Sequence, residues 1–165
     1  MIRALTEADF DFAADLVNDS WRAIYGDYVN PDLLSAEGCA ERARSLKRDF
    51  AARRLEEYVW EEKGRVLGLL SIGDTADRDR PAALEIWRIY LVPAAQGRGI
   101  GGRLLAFGER RARELGRREI LIWAFRENRR ALAFYEKHGY QPDREEYLGP
   151  PYLTYGVRLI KAAPP

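Results

Sequence analysis

Apolar residues recur at a helical interval in the first stretch of the chain. In TEADFDFAADLVNDSWRAIY, Phe10, Ala13, Leu16, Val17, Ser20 and Ile24 fall on one stripe, and Thr6 followed by Asp9 forms a capping pair, so the pattern predicts a helix from about Glu7 to Tyr25. GDYVNPDLL breaks it through Gly26 and Asn30-Pro31. A second helix runs through CAERARSLKRDFAARR, with Cys39, Ala43, Leu46 and Phe50 on its inner stripe. Strand character takes over at Glu57, where YVWEE and VLGLLSIG flank Lys63-Gly64, a hairpin signal. The polar, charged DTADRDRPA is a loop, and ALEIWRIYLV carries large apolar groups on both faces, which suits a central strand covered on both sides.

The pattern then returns to the helical interval from about Gly101 to Leu115, with Ile100, Leu104, Leu105, Gly108, Ala112 and Leu115 inward and Gly116 as the stop. EILIWAF reads as a buried strand and RALAFYEKH as a short helix ended by Gly139. Weaker strands follow near Glu145 to Leu148 and Leu153 to Ile160, joined by GPP. This order describes one α/β domain, a mixed sheet flanked by helices, over residues 1–161, with AAPP at 162–165 as a disordered tail.

Composition narrows the function classes. A chain of 165 residues buries a core without a metal or disulfide staple, and 27 basic against 26 acidic residues leave a net charge of +1, too little to attract nucleic acid. The single cysteine, Cys39, and the lack of a secretory leader point to a cytoplasmic protein. The longest apolar runs are strand-length, short of the roughly 20 residues of a membrane span. One histidine, His138, and one cysteine offer no recognised metal spacing, so no metal is expected.

Four glycines occupy six residues from Gly97 to Gly102, between a strand and a helix. Such a turn bares backbone amides at a helix N-terminus, where the helix dipole favours an anion. Gly97, Gly99 and Gly101 leave the turn bare, and Arg98 and Arg103 stand beside it with positive charge. No lysine followed by serine or threonine comes after the glycines, which excludes a nucleotide-hydrolase loop. Gly97, Gly99 and Gly102 satisfy a dinucleotide fingerprint literally, but Glu119 precedes the next strand instead of ending it.

The tract QGRGIG after LVP, together with Asn128, Ala131, Phe134, Tyr135, Gly139 and Tyr140 in the pattern N-x-x-A-x-x-F-Y-x-x-x-G-Y, resembles the GNAT superfamily of N-acetyltransferases across nearly the whole chain. The resemblance implies a mostly antiparallel sheet whose central strands, Leu84 to Val92 and Glu119 to Phe125, splay apart. It implies acetyl-coenzyme A as cosubstrate, its pyrophosphate on the turn from Gln96 through Gly97, Arg98, Gly99, Ile100, Gly101 and Gly102 to Arg103. The pantetheine arm would then lie on the backbone of Ile89 to Val92, Tyr90 and Leu91 included, near Asn128 and Ala131. Tyr135 is implied as the acid that protonates the departing thiolate, a role a phenol with a pKa near 10 can perform at neutral pH.

A primary amine attacking a thioester must lose a proton. Glu85, a charge within an apolar strand, is the candidate base; strand-start solvation beside the charged loop and an ion pair with Arg88 are the alternatives. No residue suits an acyl-carrying nucleophile, so direct transfer is expected. By the same resemblance the first helices line the acceptor pocket, where Trp21, Tyr25 and Tyr28 form an aromatic wall and Asp27 or Asp32 attracts a cationic amine, with the GPP turn and Tyr152 on the opposite rim. Simple helix-on-sheet packing is the other reading of Trp21 and Tyr25. The expectation is an N-acetyltransferase of a small-molecule, amino-acid or peptide amine, compatible with a homodimer and binding neither nucleic acid nor membrane. A non-catalytic acyl-coenzyme A-binding module is the alternative.

Overall fold

The computed structural model describes residues 1–163. A three-residue strand, β1 (Ile2–Ala4), precedes a short 3-10 turn and helix α1 (Phe10–Tyr25). Thr6 and Asp9 form the expected reciprocal cap, and the Arg3 guanidinium and the Thr6 hydroxyl hold the Asp9 carboxyl down at about 2. Helix α2 (Ala36–Ala51) begins earlier than its apolar stripe suggests, because the Ser35 hydroxyl caps it by accepting from Gly38 N at 3.1 Å. Strands β2 (Leu55–Glu62) and β3 (Arg65–Asp74) form the predicted hairpin, with Lys63 and Gly64 at φ 50 and 73. After β4 (Leu84–Leu91) come α3 (Ile100–Glu114), β5 (Glu119–Phe125), α4 (Arg129–Lys137), β6 (Gln141–Tyr147) and β7 (Tyr155–Ala162).

The seven strands make one sheet in the order β1-β2-β3-β4-β5-β7-β6, antiparallel except where β4 meets β5. Apolar clusters cover both faces. On one, Leu104 and Leu105 of α3 pack with Leu132 and Tyr135 of α4 on Leu70, Ile72, Ile86, Ile120 and Leu159. On the other, Ala13, Leu16 and Val17 of α1 and Leu46 of α2 pack on Val59 and Leu69. Each fully buried leucine or isoleucine contributes about 1.5–3 kcal/mol, which is what fixes the helices to the sheet.

Four expectations change. β1 enters the sheet unpredicted, pairing Ile2 with Trp60 and Ala4 with Tyr58. Ile24 is 41% exposed, because the last turn of α1 directs Tyr25 onto Phe125 instead, their rings 4.9 Å apart. Leu115 lies past the end of α3 and is 45% exposed. Of the tail expected over 162–165, the first two residues are ordered: Ala162 ends β7 opposite Glu119, and Ala163 N donates to Arg118 O at 2.9 Å. Residues 164–165 lie outside the described residues.

Candidate functional site

The site begins as a fault in the sheet. β4 and β5 pair at Leu84↔Ile120 and Glu85↔Leu121, and beyond these two positions they diverge. From Ile86 onward the β5-facing edge of β4 therefore has no ladder, and its backbone polar groups face a cleft. A bulge adjoins the fault. Ile72 faces Ile86 and Ser71 faces Arg88, so Trp87 is the extra residue. The bulge places Glu85, opposite Gly73, on the same face as Arg88, opposite Ser71; strict alternation would have separated them.

Arg88 is held beneath the sheet by Asp49 of α2 at 2.6 Å and Glu57 of β2 at 3.1 Å, and Glu57 also accepts from the Ser71 hydroxyl. Arg54, itself on Asp49, lies over the Trp87 ring at 4.3 Å. This cluster commits Arg88 away from Glu85, so an ion pair between those two is not the reason for Glu85. Solvation is not the reason either, since Glu85 is 6% exposed. Its carboxylate accepts from Thr75 Oγ1 at 2.8 Å, and burial, with the Asp77 charge adding to it, pushes its pKa up to about 7. A carboxyl poised there can take up and release a proton at neutral pH.

At the far end of β4 the four glycines divide into two kinds. Gly97 and Gly99 have φ 73 and 76 and open space where a side chain would begin. Gly101 and Gly102 are closely packed: a Cβ would stand 3.1 Å from Phe134 Cζ of α4 and 2.8 Å from Nε2 of His138, the residue that follows α4. The first acceptor in the turn is Gly99 O, which takes Arg103 N at 3.2 Å. Among the described residues no backbone carbonyl is bonded to the amides of residues 97–102. Gln96 Nε2 donates to Leu91 O at 3.2 Å, Ile100 is core, and Val92 packs against both clusters. The flanking arginines turn outward, Arg98 to Glu62 at 2.6 Å and Arg103 over the Trp60 ring at 5.6 Å.

Helix α4 closes this end. Asn128 caps it, accepting from Ala131 N at 3.2 Å, and one turn later Tyr135 is 7% exposed. Burial and the neighbouring Tyr90 keep the Tyr135 phenol protonated well above the ordinary tyrosine value. Leu91, Gln96, Gly97, Gly101, Asn128, Ala131 and Tyr135 line a cavity of about 220 Å³. On the α1 side, Trp21, Tyr25, Trp87, Tyr90, Trp123, Phe125 and Tyr152 line a second cavity of about 350 Å³, with Glu85 and Asp77 in its wall. Tyr25 and Tyr90 border both, and they also border the narrow space in the fault, lined by Ile86, Asn128 and Tyr135, that lies between the two cavities.

Trp21 serves packing and lining at once: its ring meets Tyr25 edge-on at 5.0 Å and its Nε1 donates to Tyr90 Oη at 3.2 Å. Asp27, expected at this pocket, is exposed where the chain turns away after Gly26, and Asp32 is likewise exposed. Tyr28 packs behind Tyr25 and Phe125 at 6.0 and 6.1 Å and is not among the lining residues. Sequence reasoning missed Thr75, Asp77, Trp87, Trp123 and Phe125. The available signals were Trp87 and Trp123, each an indole within a predominantly apolar strand.

Residues 13–140 match the profile of the family described as "Acetyltransferase (GNAT) family". The chain is similar to "Probable N-acetyltransferase Rv2775" of Mycobacterium tuberculosis, with 28% identity over 99% of this chain and 95% of the relative. It is also similar to the mycothiol acetyltransferase of Mycobacteroides abscessus, with 36% identity over 73% of this chain but only 38% of that protein's length. Among solved structures, the ribosomal-protein-alanine N-acetyltransferase from Brucella melitensis superposes with a TM-score of 0.76 at 22% identity, covering 98% of this chain and 99% of the other. The Thermoplasma acidophilum paia N-acetyltransferase in complex with coenzyme A gives 0.70 at 20% identity, covering 96% of each. At those identities the structural likeness establishes the fold.

Proposed function

The chain belongs to the GNAT acetyltransferase family, and on that premise we propose that it is an acetyl-coenzyme A-dependent N-acetyltransferase moving the acetyl group directly to a primary amine. The observation that carries this reading is the fault between β4 and β5, a cleft running from a turn of unbonded amides to a buried carboxyl. The residues present fit the coenzyme. Amides of residues 97–102 suit the diphosphate, the unpaired edge of β4 suits the amide-bearing pantetheine arm, and Asn128 and Ala131 border its path. Bound coenzyme would supply the acetyl group as a thioester.

In this reading Glu85 takes the proton of the acceptor ammonium, directly or through water. The amine nitrogen bonds to the acetyl carbon, the carbon–sulfur bond breaks, and the Tyr135 phenol gives its proton to sulfur. Nitrogen gives up two protons in becoming an amide: Glu85 holds the first and passes it to solvent, the second leaves through water and replaces the one lost by Tyr135, and each turnover releases one proton overall. Calorimetric titration tests the first step: acetyl-coenzyme A should bind and NAD should not. Thiol release across a broad amine panel tests the second. Coenzyme binding with no acceleration by any amine would replace the enzyme with a binding module.

A further inference from the structure

The fault assigns a place for an amine but says nothing of what carries it; the second cavity does. Trp21, Trp87, Trp123, Phe125 and Tyr152 give its walls flat apolar surface. Three carboxylates also reach it, and they are not equivalent. Asp77 Oδ2 is occupied by Arg158 Nη1 at 2.9 Å and Trp123 Nε1 at 3.0 Å, and Glu146 is paired with Arg144 Nε at 2.9 Å. Glu85 has a neutral partner, the Thr75 hydroxyl. A second cationic group on the acceptor would meet carboxylates whose charge a guanidinium already offsets, so the charges favour one amine per acceptor.

The cavity is also roofed. The segment after α1 and the turn between β6 and β7 are tied by Asn30 N to Tyr152 O and by Asn30 Nδ2 to Pro151 O, each at 2.9 Å. The Tyr152 ring extends the roof to Phe125 and Trp21, with centroids 5.8 and 6.4 Å away. These two bonds bridge the segments where an extended polypeptide would pass between them, and about 350 Å³ accommodates a one- or two-ring molecule.

We propose that the acceptor is a compact monoamine on an aromatic body, its ring against Trp87, Trp123 and Tyr152 and its nitrogen at Glu85. This rests on the acetyltransferase reading above. The test compares 2-phenylethylamine, n-butylamine, 1,4-diaminobutane and an unblocked tripeptide. Thiol release is followed with acetyl-coenzyme A, and binding is followed without coenzyme by quenching of the cavity tryptophans. 2-Phenylethylamine should exceed the diamine and the tripeptide in kcat/KM by at least about tenfold, and should quench. Tyr152→Ala should lower kcat/KM for 2-phenylethylamine about tenfold, mainly through KM, and change n-butylamine much less. Asn30→Ala should narrow the gap between arylalkylamine and tripeptide. Preference for the diamine or tripeptide, or transfer without quenching by 2-phenylethylamine, would overturn the acceptor class and leave the enzyme reading intact. Quenching without transfer to any amine would sink the enzyme reading and leave the cavity's preference standing.

Discussion

A carboxyl group enclosed by aromatic rings and offered one hydroxyl is held uncharged at the expense of its acidity, and Glu85 shows both effects of this. Its folded value of about 7 lies above the ordinary 4.5, so the folded state binds the proton more tightly than the unfolded chain. The contribution of Glu85 to stability is therefore fully present below pH 4.5, falls as pH rises toward 7 and levels off above it. Glu85→Gln should escape this loss, making the variant more stable than the parent above pH 7 by up to about 3 kcal/mol in urea unfolding. In kinetics the parent kcat/KM should rise with pH through an inflection near 7 that the glutamine variant lacks. Tyr135→Phe should lower kcat about 100-fold while leaving the dissociation constant for acetyl-coenzyme A nearly unchanged. Glu85 was legible in the sequence because a charge in an apolar strand is conspicuous. Asp77 and Thr75 were not, because only folding brings the loop after β3 over β4.

At the scale of elements, local chemistry was readable and non-local pairing was not. The Lys63-Gly64 turn, the Thr6–Asp9 cap and Gly116 act within a few residues of themselves, and each stands where expected. β1 is three residues long and becomes a strand through β2, and the bulge at Trp87 is defined by its register with β3. That bulge turns Arg88 toward Asp49 and Glu57. Arg88→Met should leave Glu57 buried without its cation and cost about 3 kcal/mol, measured by chemical denaturation. Adding Glu57→Gln should recover part of the loss, because the unpaired charge is then gone. The turn before α3 gives a separable result. Gly99→Ala strains a left-handed backbone by about 1 kcal/mol, yet its methyl group enters the open space before the amides, so coenzyme affinity should fall by more than that strain accounts for.

For the whole molecule, the order of elements and the two-faced core were legible, since apolar periodicity reports which surface each segment buries. The shape of the acceptor cavity was not, because it draws on α1, β4, β5 and the β6–β7 turn, elements far apart in the chain. Acetyl-coenzyme A at 100 times its dissociation constant should add about 2.7 kcal/mol of stability and raise Tm accordingly. Amide exchange should slow most at residues 86–91 and 97–102. Strands β1 to β4 all precede Val92 and β5 to β7 all follow Arg118, so the narrow join between β4 and β5 also separates early from late chain. A break at the Gly116–Arg117 bond would yield two fragments, each keeping a contiguous ladder of its own, with α3 retained on the first. Coexpressed as 1–116 and 117–165, they are expected to reassemble across α3 and this join, so that activity would depend on two genes instead of one.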